Sequence, residues 1–137
     1  MSVEVFVKTR HKLLPDPEFD SITAIFYVVT HDGPTENSFG IIVLDDEFIN
    51  GKRSLLEKSG CNFKGQVSIV QTENELLNVF IQVVQNTGPD IFVGYDTQRS
   101  SLGWICRRAV QLNIDLATKL SKITSGKNES RFGGPNG

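Results

Sequence analysis

Pro89-Asp90-Ile91-Phe92-Val93-Gly94-Tyr95-Asp96-Thr97-Gln98 joins a short apolar run to a Gly-Tyr turn and then to an amphipathic segment. Three apolar residues ended by glycine read as a short buried strand over 91–93. Downstream, Leu102, Ile105, Ala109 and Leu112 fall on one side of a helical wheel. Arg99, Arg107, Arg108 and Gln111 fall largely on others, so an amphipathic helix is expected over 98–114. Upstream, Thr72-Glu73-Asn74-Glu75 has the spacing of a capping box, with Thr72 as N-cap and Glu75 reaching back. Leu76, Leu77, Phe80, Val83 and Val84 then recur at helical spacing until Gly88-Pro89 stops the helix.

The first half of the chain alternates with period two instead. Val3, Val5 and Val7 interleave with Glu4, Phe6 and Lys8, which predicts a strand with one buried face and puts Glu4 and Phe6 on the same side. Residues 22–29 form a nearly continuous β-branched and aromatic run, the pattern of a central strand buried on both faces. Asp32-Gly33-Pro34 marks a turn, and 39–44 resumes as a third strand, so an antiparallel hairpin or meander is expected. Residues 45–64 read as a variable surface excursion, with a helical turn around Leu55 and Leu56, and 66–70 as another short strand. Beyond Ser121 the apolar periodicity fades, and 133–137 is expected to be a disordered tail. Three strands, a loop, then strand, helix, strand and helix make an α/β chain, a mixed sheet with helices packed on it. A ribonuclease-H-like core fits that order, and so do other α/β sheets.

Composition narrows the class further. With 137 residues, the chain has room for one hydrophobic core but is short for a complete α/β nuclease domain. Its 14 basic and 16 acidic residues give a net charge of −2, which supplies no global attraction for phosphate. Cys61 and Cys106 stand far apart with no paired ligands, which argues against zinc and for reduced thiols. No run approaches the roughly 18 apolar residues that span a bilayer.

Two stretches carry a resemblance. Pro15-Asp16-Pro17-Glu18-Phe19-Asp20, followed by Ser21-Ile22-Thr23-Ala24-Ile25-Phe26-Tyr27, is similar to the segment leading into the second strand of the exonuclease-like domain of family B DNA polymerases, in its zeta branch. The quoted 89–98 stretch, with Trp104, Arg107-Arg108-Ala109 and Leu112-Asn113-Ile114-Asp115-Leu116, resembles the second exonuclease motif region of the same family. The resemblance covers about residues 1–132 and implies a ribonuclease-H-like (DnaQ-like) fold, here a partial exonuclease-like domain truncated at its C-terminal side.

Active members of that family cut the terminal phosphodiester with two divalent metals held by hard oxygen ligands. By the resemblance, the first ligand position falls on Glu4, the second on Phe6 and the carboxylate of the following helix on Ser101. Phe6 has no oxygen to offer. Ser101 is a neutral hydroxyl, so the repulsion of two close cations would go poorly compensated. The resemblance therefore implies no catalytic residue and no metal in this chain, only the degenerate positions Glu4, Phe6 and Ser101.

Several other residues invite a functional reading. Asp16-Pro17-Glu18 also spells Asp-x-Glu, yet Pro15 and Pro17 make a central strand there unfavourable, and a solvated acidic turn is expected. His11 and His31 lack a second ligand at metal spacing and are expected to face solvent. Trp104 and Tyr95 suit base stacking in principle, but packing at the strand-to-helix junction is the expectation. Arg107 and Arg108 are the candidate nucleic-acid contacts, set against the blander reading of a solvated helix face. Cys106, beside Ile105, reads as a structural thiol whose pKa burial would raise.

The resemblance implies that the parent is a DNA-directed DNA polymerase of translesion synthesis. It would work in the nucleus in DNA repair and replication, with accessory subunits and the remaining domains of its own polypeptide as partners. Nucleotide binding, Mg2+ and an iron–sulfur cluster would belong to regions outside this chain, and DNA would be a partner through the parent polymerase, with this domain guiding single-stranded template. Two other classes stand beside this reading. One is an active 3′→5′ exonuclease using Glu4 with Asp16, Glu18 or Asp96, and the other is a free-standing protein-interaction module.

Overall fold

Alternating valines settle the first strand. In the computed structural model, which describes residues 1–45 and 63–122, β1 (Ser2–Val7) turns Val3 into the core and leaves Glu4 and Phe6 together on the opposite face. β2 (Ile22–Val29) and β3 (Ser38–Leu44) follow as the expected antiparallel meander. The turn between them places Gly33 at φ 112°, a conformation that side chains with a Cβ rarely adopt. β4 (Gln66–Val70) adds parallel to β3. The described residues thus build a mixed four-stranded sheet in the order β1-β2-β3-β4. Its register sets Glu4, Phe26, Ile41 and Val67 side by side across the four strands.

α1 (Glu73–Thr87) starts where the capping spacing places it, with the Glu75 N–H donating to Thr72 Oγ1 at 3.2 Å. The reciprocal bond is displaced by one residue, because Glu75 Oε2 accepts from the Gln71 N–H rather than from that of Thr72. Gly88 ends the helix in the left-handed region at φ 54°, its N–H returning to the Val84 carbonyl. α1 buries Leu76, Leu77, Phe80, Ile81 and Val84 against the sheet. α2 (Ser101–Gln111) adds Trp104, Ile105 and Ala109, and the short α3 (Leu116–Leu120) adds Leu116. Each fully buried Leu, Ile or Phe side chain contributes about 1.5–3 kcal/mol of hydrophobic stabilisation.

Three expectations need correction. The helix expected over 98–114 is shorter, because Asn113 takes a left-handed φ of 55° and Asp115 then caps α3. β2 is covered on one face only: Phe26 is 43% exposed, since both longer helices pack on the other side of the sheet. The strand expected over 91–93 is not regular, and only Phe92 of its three residues packs partly against the core. It makes a single parallel bridge, Ser2 to Val93, through Val3 N–H to Val93 O at 3.0 Å and Val93 N–H to Met1 O at 2.9 Å. Ile91 and Val93 are 70% and 59% exposed, because only β1 flanks this segment among the described residues and no layer covers its outer face.

A buried ion pair ties the proline-rich connection to the helices. The Arg108 guanidinium, only 7% exposed, donates from Nε and Nη2 to the two carboxylate oxygens of Glu73 at 2.9 and 2.6 Å. Its Nη1 donates to the Pro17 carbonyl at 2.8 Å, and Glu73 Oε1 also accepts the Ile22 N–H at 2.8 Å. The fork geometry satisfies both carboxylate oxygens at once, which a buried pair needs to offset its desolvation. The hydrogen bond from Glu73 in turn holds the Arg108 guanidinium above its ordinary pKa. Asp20, also buried, accepts the Asp16 N–H at 2.9 Å and Arg10 Nε at 3.0 Å. The Asp16 hydrogen bond first, and Arg10 with it, keep its carboxyl below the usual range despite desolvation.

The excursion read over 45–64, with its helical turn at Leu55 and Leu56, lies almost wholly outside the described residues, as do Cys61 and the tail at 133–137. Lys122, assigned from sequence to the fading end, is held by Asp90 at 2.6 Å and by the Gly88 carbonyl at 2.8 Å. Among the described residues no helix is long and apolar enough to cross a membrane.

Candidate functional site

Glu4, Phe6 and Ser101, the positions to which the resemblance assigns the site, are set by β1 and by the N-terminus of α2. β1 places Glu4 and Phe6 on the bare face of the sheet, and residues 91–95 run alongside it. At Asp96, with φ 44°, the chain turns; the Asp96 carbonyl accepts the N–H groups of Arg99 and Ser100 at 3.1 and 2.8 Å. Ser101 opens α2 and is 1% exposed. This path brings it to Glu4, 97 residues away in sequence: Ser101 Oγ donates to Glu4 Oε2 at 3.0 Å. The other carboxylate oxygen, Oε1, accepts the Tyr95 N–H at 2.8 Å.

Gly94 makes the approach possible. A Cβ there would lie 2.6 Å from Ser101 Oγ and 3.0 Å from the Val3 carbonyl oxygen. Ser101 also lies 3.1 Å from the Tyr95 carbonyl, but it has one proton to give. That carbonyl already receives Ser100 Oγ at 2.7 Å. The charge-assisted bond to Glu4 is therefore the better use of the Ser101 proton.

A two-cation phosphodiesterase site needs several acidic oxygens converging on shared metals. The residues present do not fit that group. Phe6, 54% exposed beside Glu4, offers hydrocarbon, and Ser101 meets Glu4 with a hydrogen rather than with a second negative charge. Among the described residues, no three His, Cys, Asp or Glu side chains are grouped so as to hold a metal ion.

The remaining candidates lie apart from this pair or are spent elsewhere. Asp16, Glu18 and Asp20 form a hydrogen-bonded turn, Glu18 N–H to Asp16 Oδ1 at 2.9 Å and Asp20 N–H to Asp16 O at 2.7 Å, but it is solvated only in part, because Asp20 is buried and held by Arg10. His11 and His31 are exposed as expected. Trp104 is packed in the core, with its Nε1–H lacking a hydrogen-bond partner among the described residues. Tyr95 corrects the packing expectation: its ring is 84% exposed, because only its backbone is engaged by β1. The arginine pair separates. Arg107 is exposed and donates to the Gln98 carbonyl at 3.1 Å, whereas Arg108 is neither on a solvated face nor open to a phosphate, being buried against Glu73. Cys106 corrects the expectation of a buried structural thiol, being exposed on the outer side of α2, although partial desolvation still raises its pKa as expected.

Sequence reasoning missed Tyr95 N–H as a partner of Glu4 and Glu73 as a partner of Arg108. Both contacts bridge distant segments, and neither residue type announces such a role. Residues 1–135 match the family model for DNA polymerase family B, exonuclease domain. The chain belongs to this family. Within it, the chain is 35% identical over 143 aligned residues to the DNA polymerase zeta catalytic subunit of Mus musculus and 36% identical to that of Homo sapiens, covering 96% of this chain in each case. It is 31% identical to the DNA polymerase zeta catalytic subunit of Arabidopsis thaliana over 91% of the chain. The chain spans 4% of the length of the mouse and human relatives and 6% of the plant one. In this family B exonuclease domain, the positions carried over by resemblance as site residues, Glu4 and Ser101, are in direct contact.

Proposed function

We propose that the chain is a non-catalytic, ribonuclease-H-like portion of the exonuclease-like domain of a DNA polymerase zeta catalytic subunit, acting as scaffold rather than nuclease. The observation that carries this reading is the 3.0 Å hydrogen bond from Ser101 to Glu4, where hydrolysis would need a second carboxylate. The bare apolar face of the sheet, with Phe6, Phe26 and Val67 exposed on it, supports a role in contact with other protein. In this reading the parent carries out DNA-directed DNA synthesis across lesions in the nucleus. DNA and accessory subunits are the chain's partners through the parent polymerase, while Mg2+ and an iron–sulfur cluster engage regions outside this chain. Arg107 is the arginine of the candidate pair that remains open to a phosphate.

A 5′-labelled single-stranded oligonucleotide incubated with the chain and Mg2+ or Mn2+ tests the proposal. The expected result is an intact 3′ end. Trimming of that end that disappears in Glu4→Gln would assign the chain to the working exonucleases.

A further inference from the structure

A carboxylate that has lost its fellow ligands is ordinarily free to drift, and Glu4 sits on an otherwise apolar, uncovered sheet face where nothing in its own strand holds it. It is nevertheless held at both oxygens from outside the strand, by the Tyr95 N–H at 2.8 Å and by the Ser101 hydroxyl at 3.0 Å. Tyr95 belongs to a segment with little regular structure, and Ser101 opens the helix that follows it. Residues 91–95 make one backbone bridge to β1 beside the Met1 amine's hydrogen bond to the Ile91 carbonyl at 2.7 Å, and of their side chains only Phe92 packs partly against the core while Ile91, Val93 and Tyr95 are exposed. The turn that follows contains two non-glycine residues at positive φ, Asp96 and Ser101, both at 44°. Such conformations persist only where surrounding contacts over-determine them.

We infer that Glu4 is a latch: its carboxylate pins the 91–101 strand-to-helix junction, and with it the N-terminus of α2, to β1, in the place and without the help of a cation. The inference rests on the non-catalytic reading and gives the surviving acidic residue a purpose within it. Ser101 is the matching half. Its hydroxyl brings a hydrogen to Glu4 Oε2, whereas an acidic side chain at that position would repel the carboxylate unless a cation lay between them. Gly94 is the third part, since any side chain there would collide with Ser101 Oγ. The site is thus satisfied by protein donors alone.

Native-state hydrogen exchange on the 137-residue chain in EDTA tests the latch. In Glu4→Ala, the Tyr95 amide and those of the turn before α2 should exchange at least about tenfold faster, the equivalent of about 1.4 kcal/mol of local opening. The amides of β3 and β4 should keep their rates. Glu4→Gln should stay within about threefold of the native chain, because its amide oxygen still accepts the Tyr95 N–H while Ser101 turns its proton to the Tyr95 carbonyl. Ser101→Ala removes one of the two bonds and should give an intermediate rate, which covers the case in which Glu4→Ala fails to fold. Unchanged exchange at Tyr95 in Glu4→Ala, or in Ser101→Ala if Glu4→Ala does not fold, would overturn the latch. So would an acceleration spread evenly over the chain. Either result would leave the non-catalytic reading standing, since that reading fails on Glu4-dependent trimming of DNA or on a cation pair bound at Glu4, neither of which hydrogen exchange in EDTA reports.

Discussion

Arg108 and Asp20 show how much of this fold is held by single polar side chains. Removing one partner of a buried, bidentate pair strands the other charge, so Arg108→Ala or Glu73→Ala should cost about 3–5 kcal/mol in denaturant unfolding. Replacing both by apolar residues of similar volume, Arg108→Met with Glu73→Leu, should recover much of that loss. Its remaining deficit would report the unpaired Ile22 N–H and Pro17 carbonyl. Asp20 titrates in the opposite sense to a buried base. Its folded-state pKa is depressed below 3.8 by the Asp16 N–H and Arg10. Its stabilising effect is therefore complete above that value and is lost as pH falls through the lower folded value. Below pH 4 the unfolding free energy should therefore fall with pH more steeply in the native chain than in Asp20→Asn, read from denaturant midpoints across that range.

Elements with a strong local signature were legible in the sequence, and elements defined by their neighbours were not. Thr72 and Gly88 bracket α1 with chemistry that needs no tertiary context, and the helix lies where they put it. Thr72→Ala should lower stability by about 1 kcal/mol, measured by thermal or denaturant unfolding, through loss of the Glu75 N–H bond alone. The 91–93 run reads as a buried strand because three apolar residues before glycine look the same whether or not another strand and layer flank them. Its exposure depends on what covers it, which three residues cannot encode. The shortened α2 has the same kind of cause, a left-handed Asn113 inside a window whose apolar spacing continues past it. At the site, the positions Glu4, Phe6 and Ser101 came from family resemblance. The donation from Tyr95 N–H is a backbone contact over 91 residues, beyond any periodicity.

At the scale of the molecule, the described residues pack one face of the sheet and leave the other exposed. Phe6, Phe26, Val28, Phe39, Val67 and Ile69 all stand exposed on the uncovered side. A face of that kind promotes association, and β4 lies at the end of the described sheet order, where a charged residue blunts pairing. Val67→Lys should therefore reduce concentration-dependent light scattering of the chain while changing its unfolding free energy by less than about 1 kcal/mol. The same half-covered architecture is consistent with the proposed scaffold, and the Glu4 carboxylate is engaged by hydrogen bonds from Tyr95 N–H and Ser101 Oγ.

Whether a divalent cation can sit beside Glu4 is the point on which the whole reading turns. Crystals of the chain soaked in Mn2+ and measured at the manganese edge answer it directly. The account predicts no anomalous peak at the Glu4 carboxylate and an undisturbed Ser101 hydrogen bond. A manganese ion bound about 2.1 Å from Glu4 Oε1 or Oε2, with a second ion nearby, would contradict it.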